Sequence, residues 1–225
     1  MTYRERSSSV AGATVWRRVA DGTDRWVLPD GCMDLIWDST TLVVAGPDTA
    51  PHIAQAPAGT PFAAVRFAPG TGPAVLGVPA DELRDQRVAL DEVWGAAEVD
   101  ATLDRLHRED PVAVLEEVAA RRLRDVDPDP LAAEVVRLAD GGATVAQIAD
   151  SVGLGERQLH RRSLAAFGYG PKVLARILRL QRALALARGG TPFSAAAAEA
   201  GYADQAHLAR EVRSLGGASL GELAG

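Results

Sequence analysis

Arg157, His160, Arg161 and Arg162 crowd into "VGLGERQLHRR", residues 152–162, directly after a glycine-flanked turn. A guanidinium donates through a rigid fork that matches phosphate and the O6 and N7 acceptors of guanine, so a basic run on one short helix suits a polyanion. The rest of the chain is acidic. Its 225 residues carry a formal net charge of −6; residues 1–129 hold 13 Lys/Arg against 22 Asp/Glu, a balance of −9, and residues 130–225 hold 11 against 8, a balance of +3. The asymmetry points the C-terminal part at a polyanionic partner. No serine elbow, phosphate loop or His-Glu zinc pattern is present, so no catalytic residue, metal or cofactor is expected and the chain reads as a non-enzyme. Asp34 and His52 with the single cysteine, Cys32, match no compact ligand spacing. The carboxylates of Asp30 and Asp34 beside Cys32 disfavour a thiolate, which argues for a small buried hydrophobe rather than a redox sensor.

Such a basic helix needs a scaffold. With 47% hydrophobic and 24% charged residues the chain is an ordinary globular one. It has no run of apolar residues long enough for a membrane span, and "MTYRERSSSV" lacks the apolar core of a secretion signal, so a cytoplasmic location is expected. The expected fold class is α+β, in two domains: residues 1–126 and 127–225, joined through "DVDPDP", residues 125–130. Residues 1–70 read as a small β barrel or sandwich, with strands in "TVWRRV", "RWVL", "MDLIW", "TLVVAG" and "FAAVRFA" separated by turn signals such as Pro29-Asp30-Gly31. Residues 79–126 read mainly as a helical extension, with Asp110-Pro111 opening one helix. The apolar stripe Val99, Leu103, Leu106, Val114, Leu115 and Val118 is either internal core or an interface for a homodimer.

From Pro130 onward everything reads as helix. Asp129-Pro130 opens the first, and Thr144 with Gln147 forms a capping box for the second. Two segments then match: "VAQIADSVGLGERQLHRR" (145–162) and "FSAAAAEAGYADQAHLAREVR" (193–213). Ala149 and Ala197 precede Gly153 and Gly201 by the same interval, and the anchors Leu159 and Leu208 follow. The offset is 48 residues at the first helices and 49 at the second. This is an internal repeat of a helix–turn–helix, expected over 144–166 and 192–215 and bridged by a connector helix at 171–188. If each leucine packs inward, His160 and Arg161 of the first unit and Ala209 and Arg210 of the second face outward. Arg161 and Arg210 are then equivalent, each able to bond a guanine edge in the major groove. Arg162 fits the phosphate side or an ion pair, and Arg176, Arg179 and Arg182 of the connector fit structural roles.

These segments, with "FGYGPKVLARILRLQRALAL" between them, resemble the DNA-binding domain of the AraC/XylS family of bacterial transcription regulators. The resemblance implies two recognition helices held by a rigid connector in successive major grooves. Carried over by position, it implies Arg157, His160 and Arg161 as DNA contacts in the first unit, Gln205, Ala206 and Arg210 in the second, and Arg213 near phosphate. Ser163 stands where an apolar aromatic is usual in that family, and Leu164 where a lysine is common. The second unit is rich in alanine, which can offer a base edge only a methyl contact to thymine, so it has less to read with than the first. "LPDGCMDLIW", "VVAGPDT" and "RFAPGTGPAVLGVPADELRD" resemble a small N-terminal β domain found ahead of this module in actinobacterial-type regulators. A small-molecule effector is the partner implied for it, beside double-stranded DNA; RNA polymerase is a further candidate, and no membrane is expected. Trp16, Trp26 and Trp37 are either β-domain core or the walls of an aromatic pocket, with Asp34 and Arg66 its nearest polar groups. Two other functions compete: a small-molecule sequestering protein whose DNA-binding domain serves autoregulation, and a DNA-binding protein that needs no effector.

Overall fold

A computed structural model describes residues 3–124, 126 and 129–224. Half of the linker expected at 125–130, namely residues 125, 127 and 128, lies outside the described residues, and with it one side of the boundary placed at 126/127. The N-terminal part contains β1 (Arg4–Ser7), β2 (Ala13–Val19), β3 (Arg25–Val27), β4 (Met33–Trp37), β5 (Leu42–Ala45), β6 (His52–Ala54), β7 (Pro61–Phe67) and β8 (Arg87–Ala89). Six of these form an antiparallel sheet in the order β1-β2-β7-β4-β5-β8, and β3 pairs with β6 in a second, two-stranded sheet. The strands expected at β2, β3, β4, β5 and β7 are all present. β1, β6 and β8 were not expected. β1 is exposed at every position and β6 and β8 have three residues each, so none carries a half-buried alternation. β8 also falls within the stretch read mainly as helix.

Register assigns the two faces of the large sheet. Val15, Val65, Leu35, Val44 and Val88 lie opposite one another across five strands. With Phe67, Met33, Ala63 and Trp37 they turn to one side, where α1 (Gly72–Leu76), α2 (Ala96–Leu106) and α3 (Pro111–Arg122) complete the core. Successive strand residues point to opposite faces, so Trp16, Ala64, Ile36 and Val43, and beside them Arg66, Asp34, Ala45 and Arg87, turn to the other side. The β3–β6 pair covers that side. Val99, Leu106, Val114, Leu115 and Val118 are buried in the core, and Leu103 packs on it. The stripe is therefore internal core, the first of its two readings, and not an exposed interface. Asp110 precedes α3 but does not cap it with its side chain; its carboxylate accepts from Arg17 at 3.0 Å instead.

The C-terminal part is helical throughout: α4 (Pro130–Asp140), α5 (Val145–Ser151), α6 (Glu156–Phe167), α7 (Pro171–Arg188), α8 (Phe193–Glu199), α9 (Gln205–Gly216) and α10 (Leu220–Ala224). The local signals are realised as geometry. Asp129 accepts from the Leu131 N–H at 2.9 Å, and Thr144 and Gln147 close the capping box on α5. Gly153 and Gly201 turn between paired helices at φ +67° and +82°, where a Cβ is disfavoured. Ala149 and Ala197 are buried where the paired helices cross, and Leu159 and Leu208 are fully enclosed. α7 packs against α4, α6, α8 and α9 and forms the spine of a single hydrophobic cluster.

Candidate nucleic-acid interface and ligand pocket

With Leu159 buried, α6 presents Arg157, His160, Arg161 and Arg162 to solvent. Among the described residues, the three arginines form neither an ion pair nor a side-chain hydrogen bond. His160 is less free: its ring lies against Gly170, so close that a Cβ there would come within 2.7 Å of it. In α9, Leu208, Val212 and Leu215 face inward, and Gln205, Ala206, Ala209, Arg210 and Arg213 are exposed. Arg210 and Arg213 also have no carboxylate partner among the described residues; they line a shallow cleft of about 220 Å³ with Ala209, Ser219 and Leu220. The connector arginines differ in kind. Arg176 pairs with Glu211 at 2.6 Å, Arg182 with Asp140 at 3.4 Å, and the Arg179 guanidinium lies 5.0 Å from the ring centre of Tyr202. These three tie α7 to the elements packed on it, whereas the arginines on α6 and α9 are uncommitted. Ser163, in place of the family's aromatic, is buried with its hydroxyl unpartnered among the described residues.

The second site lies between the two sheets. A cavity of about 340 Å³ is walled by Trp16, Arg18, Asp34, Ile36, Phe62 and Arg66 of the large sheet and by Arg25, Val27, His52 and Ala54 of the β3–β6 pair. One end holds an ion network. Asp34 accepts from Trp16 Nε1 at 2.8 Å and from Arg66 Nε at 3.2 Å, Arg66 reaches Asp30 at 3.7 Å, and Arg87 grips Asp48 through both nitrogens, at 2.8 and 2.6 Å. Burial pushes the Asp34 carboxyl up from its usual range and Asp30 adds to this, against the pull of Arg66 and Trp16. Cys32, on the same wall, has its thiol raised well above the ordinary value by burial and then by Asp30, so a thiolate is disfavoured here. Among the described residues no three His, Cys, Asp or Glu side chains cluster as a metal site would require.

Of the residues expected at a pocket, the structure brings together Trp16, Asp34 and Arg66. Trp37 is on the opposite face of the sheet, in the core, because it is one residue out of phase with Ile36. Trp26 alternates away from Arg25 and Val27 and instead lies against Gly217 at the end of α9. Arg18, Arg25, Asp30, Asp48 and Arg87 were missed as wall residues. The signal for Arg18 was in the sequence, since "VWRRV" in a strand places Arg18 on the same face as Trp16.

The pocket wall is also the joint between the two parts. Within residues 28–32, the loop from β3 to β4, Leu28 packs into the C-terminal cluster and the Pro29 carbonyl accepts from Gln181 Nε2 of α7 at 2.6 Å. Gly31 lies beneath Tyr169, which connects α6 to α7, and Asp30 and Cys32 line the pocket. Elsewhere, Arg84 donates to the Gly168 carbonyl at 3.1 Å.

Two helix–turn–helix units, each with an exposed basic helix, thus share one connector. Residues 148–224 match a family profile described as a helix-turn-helix domain, and residues 13–89 match a domain of unknown function. The C-terminal domain is a helix-turn-helix domain of the AraC type. A search of curated proteins found no match. Among solved structures, an apo variant of ToxT from Vibrio cholerae strain SCE256 aligns at a TM-score of 0.53 and 10% identity, over 97% of this chain and 98% of that one. ToxT from Vibrio cholerae O395 bound to (E)-4-(8-methylnaphthalen-1-yl)but-3-enoic acid aligns at 0.53 and 10% identity, over 100% and 98%. The likeness is one of fold. Among the described residues no helix is long and apolar enough to cross a membrane.

Proposed function

We propose that this chain reads two short DNA boxes, one with α6 and one with α9, and that a small molecule in the N-terminal pocket sets how well it does so. Arg161 and Arg210 supply base contacts, Arg157 and Gln205 flank them, and Arg213 holds phosphate. His160, turned toward Gly170, contributes less than its neighbours. Ala206 offers only its methyl. The observation that carries the effector reading is the double use of the loop at residues 28–32: Asp30 and Cys32 line the pocket while Pro29 is bonded to α7. A ligand that shifts this loop acts one residue away from the hydrogen bond that ties it to α7, the spine of both helix–turn–helix units. The ligand held by one ToxT structure accords with this reading at the level of the fold.

Selection of bound sequences from random duplex DNA at fixed salt tests the first half. Two conserved boxes about one helical turn apart are expected; a single box would show that α9 only grips the backbone, and no enrichment would remove sequence-specific reading by the unliganded protein. For the second half, compounds that raise the melting temperature are titrated against the selected DNA. A stabilising ligand that leaves DNA affinity unchanged would replace regulation with sequestration.

A further inference from the structure

The pocket has two chemically different ends. The strand register sets three rows of side chains across its floor: Arg66, Asp34, Ala45 and Arg87; then Trp16, Ala64, Ile36 and Val43; then Arg18 and Phe62. In the first row each guanidinium is matched, Arg66 by Asp34 and Asp30 and Arg87 by Asp48. The middle row is apolar apart from the indole nitrogen already given to Asp34. At the far end, Arg18 from the floor and Arg25 from the covering strand have no carboxylate within ion-pair distance among the described residues. Each guanidinium lies over an aromatic ring instead, Arg18 over Phe62 and Arg25 over Tyr3, both at 5.3 Å. The neighbouring carboxylates are engaged. Asp38 accepts from the Thr40 and Thr41 N–H groups at 3.0 and 2.7 Å, Asp24 from Gln55 at 2.9 Å, and Asp21 from Thr23. Partial burial, and then the like charge of Arg25, hold the pKa of Arg18 below its ordinary value. Two partly desolvated cations facing one cavity carry a cost that a bound anion removes.

We propose that the pocket takes a small organic anion of the carboxylate class, its charged group between Arg18 and Arg25 and its apolar or aromatic body over Trp16, Ile36 and Val43. The proposal rests on the reading of this cavity as a ligand site. A polyhydroxylated ligand would find few partners along the apolar middle row, and an organic cation would meet its own charge at the Arg18–Arg25 end and carboxylates already saturated at the other.

The experiment uses the full chain and a panel in which each apolar body is presented as a carboxylate, a primary alcohol and a primary amine, with binding followed by ligand-observed NMR at fixed ionic strength. The carboxylates are expected to bind roughly tenfold or more tightly than their matched alcohols and amines. The double variant Arg18→Gln/Arg25→Gln is expected to bring the three within about twofold, and Ile36→Trp, which fills the middle row, to block all of them. Alcohols or amines that bind as well as the acids and are still blocked by Ile36→Trp would overturn the anion while keeping the pocket. Absence of binding across the panel, or binding that Ile36→Trp does not touch, would overturn the pocket as a ligand site.

Discussion

Gly168 ends α6 at φ +81° and sits against the N-terminal domain: a Cβ there would lie 2.6 Å from Pro47 Cγ and 3.3 Å from the Ala80 carbonyl oxygen. Gly168→Ala therefore meets two costs. The left-handed backbone costs about 1–2 kcal/mol for any residue with a Cβ, and the collision adds about 1–3 kcal/mol because Pro47 is rigid and Ala80 presents backbone. Gly201 is the control. It has φ +82° and no neighbour within 4 Å, so Gly201→Ala meets the first cost alone. Pro47→Ala removes the atom struck first, and combined with Gly168→Ala it should recover about 1 kcal/mol, while the Ala80 contact persists. Urea unfolding of the single and double variants reads all of this from the midpoints. Equal losses for Gly168→Ala and Gly201→Ala, with Pro47→Ala simply additive, would mean that α6 is not seated on the N-terminal domain as described.

Arg161→Ala and Arg210→Ala should each cost about 1–3 kcal/mol of operator affinity and relax one position of one box; a repeated selection checks this, and an unchanged preference in either variant refutes the register of that helix. Glu116 accepts from Arg6, from the Ser9 N–H and from Ser8, and these bonds, Arg6 foremost, lower its pKa from 4.5 to about 2. Because the folded value lies below the unfolded one, this contribution is whole above pH 4.5 and is lost as pH falls toward 2. With Arg6 largely in solvent, Glu116→Gln should cost about 2 kcal/mol at pH 7 and progressively less on acidification, read by urea midpoints at several pH values. The Tyr169 hydroxyl is buried without a partner among the described residues, so Tyr169→Phe should leave the melting temperature unchanged or raise it; a clear loss would reveal a partner for the hydroxyl.

The C-terminal domain was legible because its signals are local. Thr144 with Gln147, Asp129 before Pro130, and the spacing of Gly153 and Gly201 each act within a few residues, and each is found in place. The repeat also predicted which faces of α6 and α9 are exposed. It did not reveal that His160 folds over Gly170, a contact set by the chain's path into α7. In the N-terminal domain the alternation of β2 and β4 was visible, but which strand lies beside which was not. Arg25 reaches the pocket only because β3 leaves the main sheet to pair with β6, and Arg87 only because β8 closes the edge beside β5. By type alone Trp26 and Trp37 fitted either core or pocket wall; one residue of phase sends the first to the domain joint and the second to the core.

The ends of α6 and α9 rest on the same body. α6 stops against Pro47 and Ala80, and α9 stops where Gly216 and Gly217 meet Leu28, Trp26 and Pro51. A lone connecting rod such as α7 can bend or twist; a third member braced across its two loaded points makes a triangle, and a triangle holds its angles. The N-terminal domain is that brace, so it fixes the rotational phase between the two helices as well as their separation. If α6 and α9 read two boxes as proposed, operators whose boxes differ by a single base pair of spacing are distinguished by the frame itself, and the pair transplanted without its brace would lose that discrimination while keeping its preference for each box.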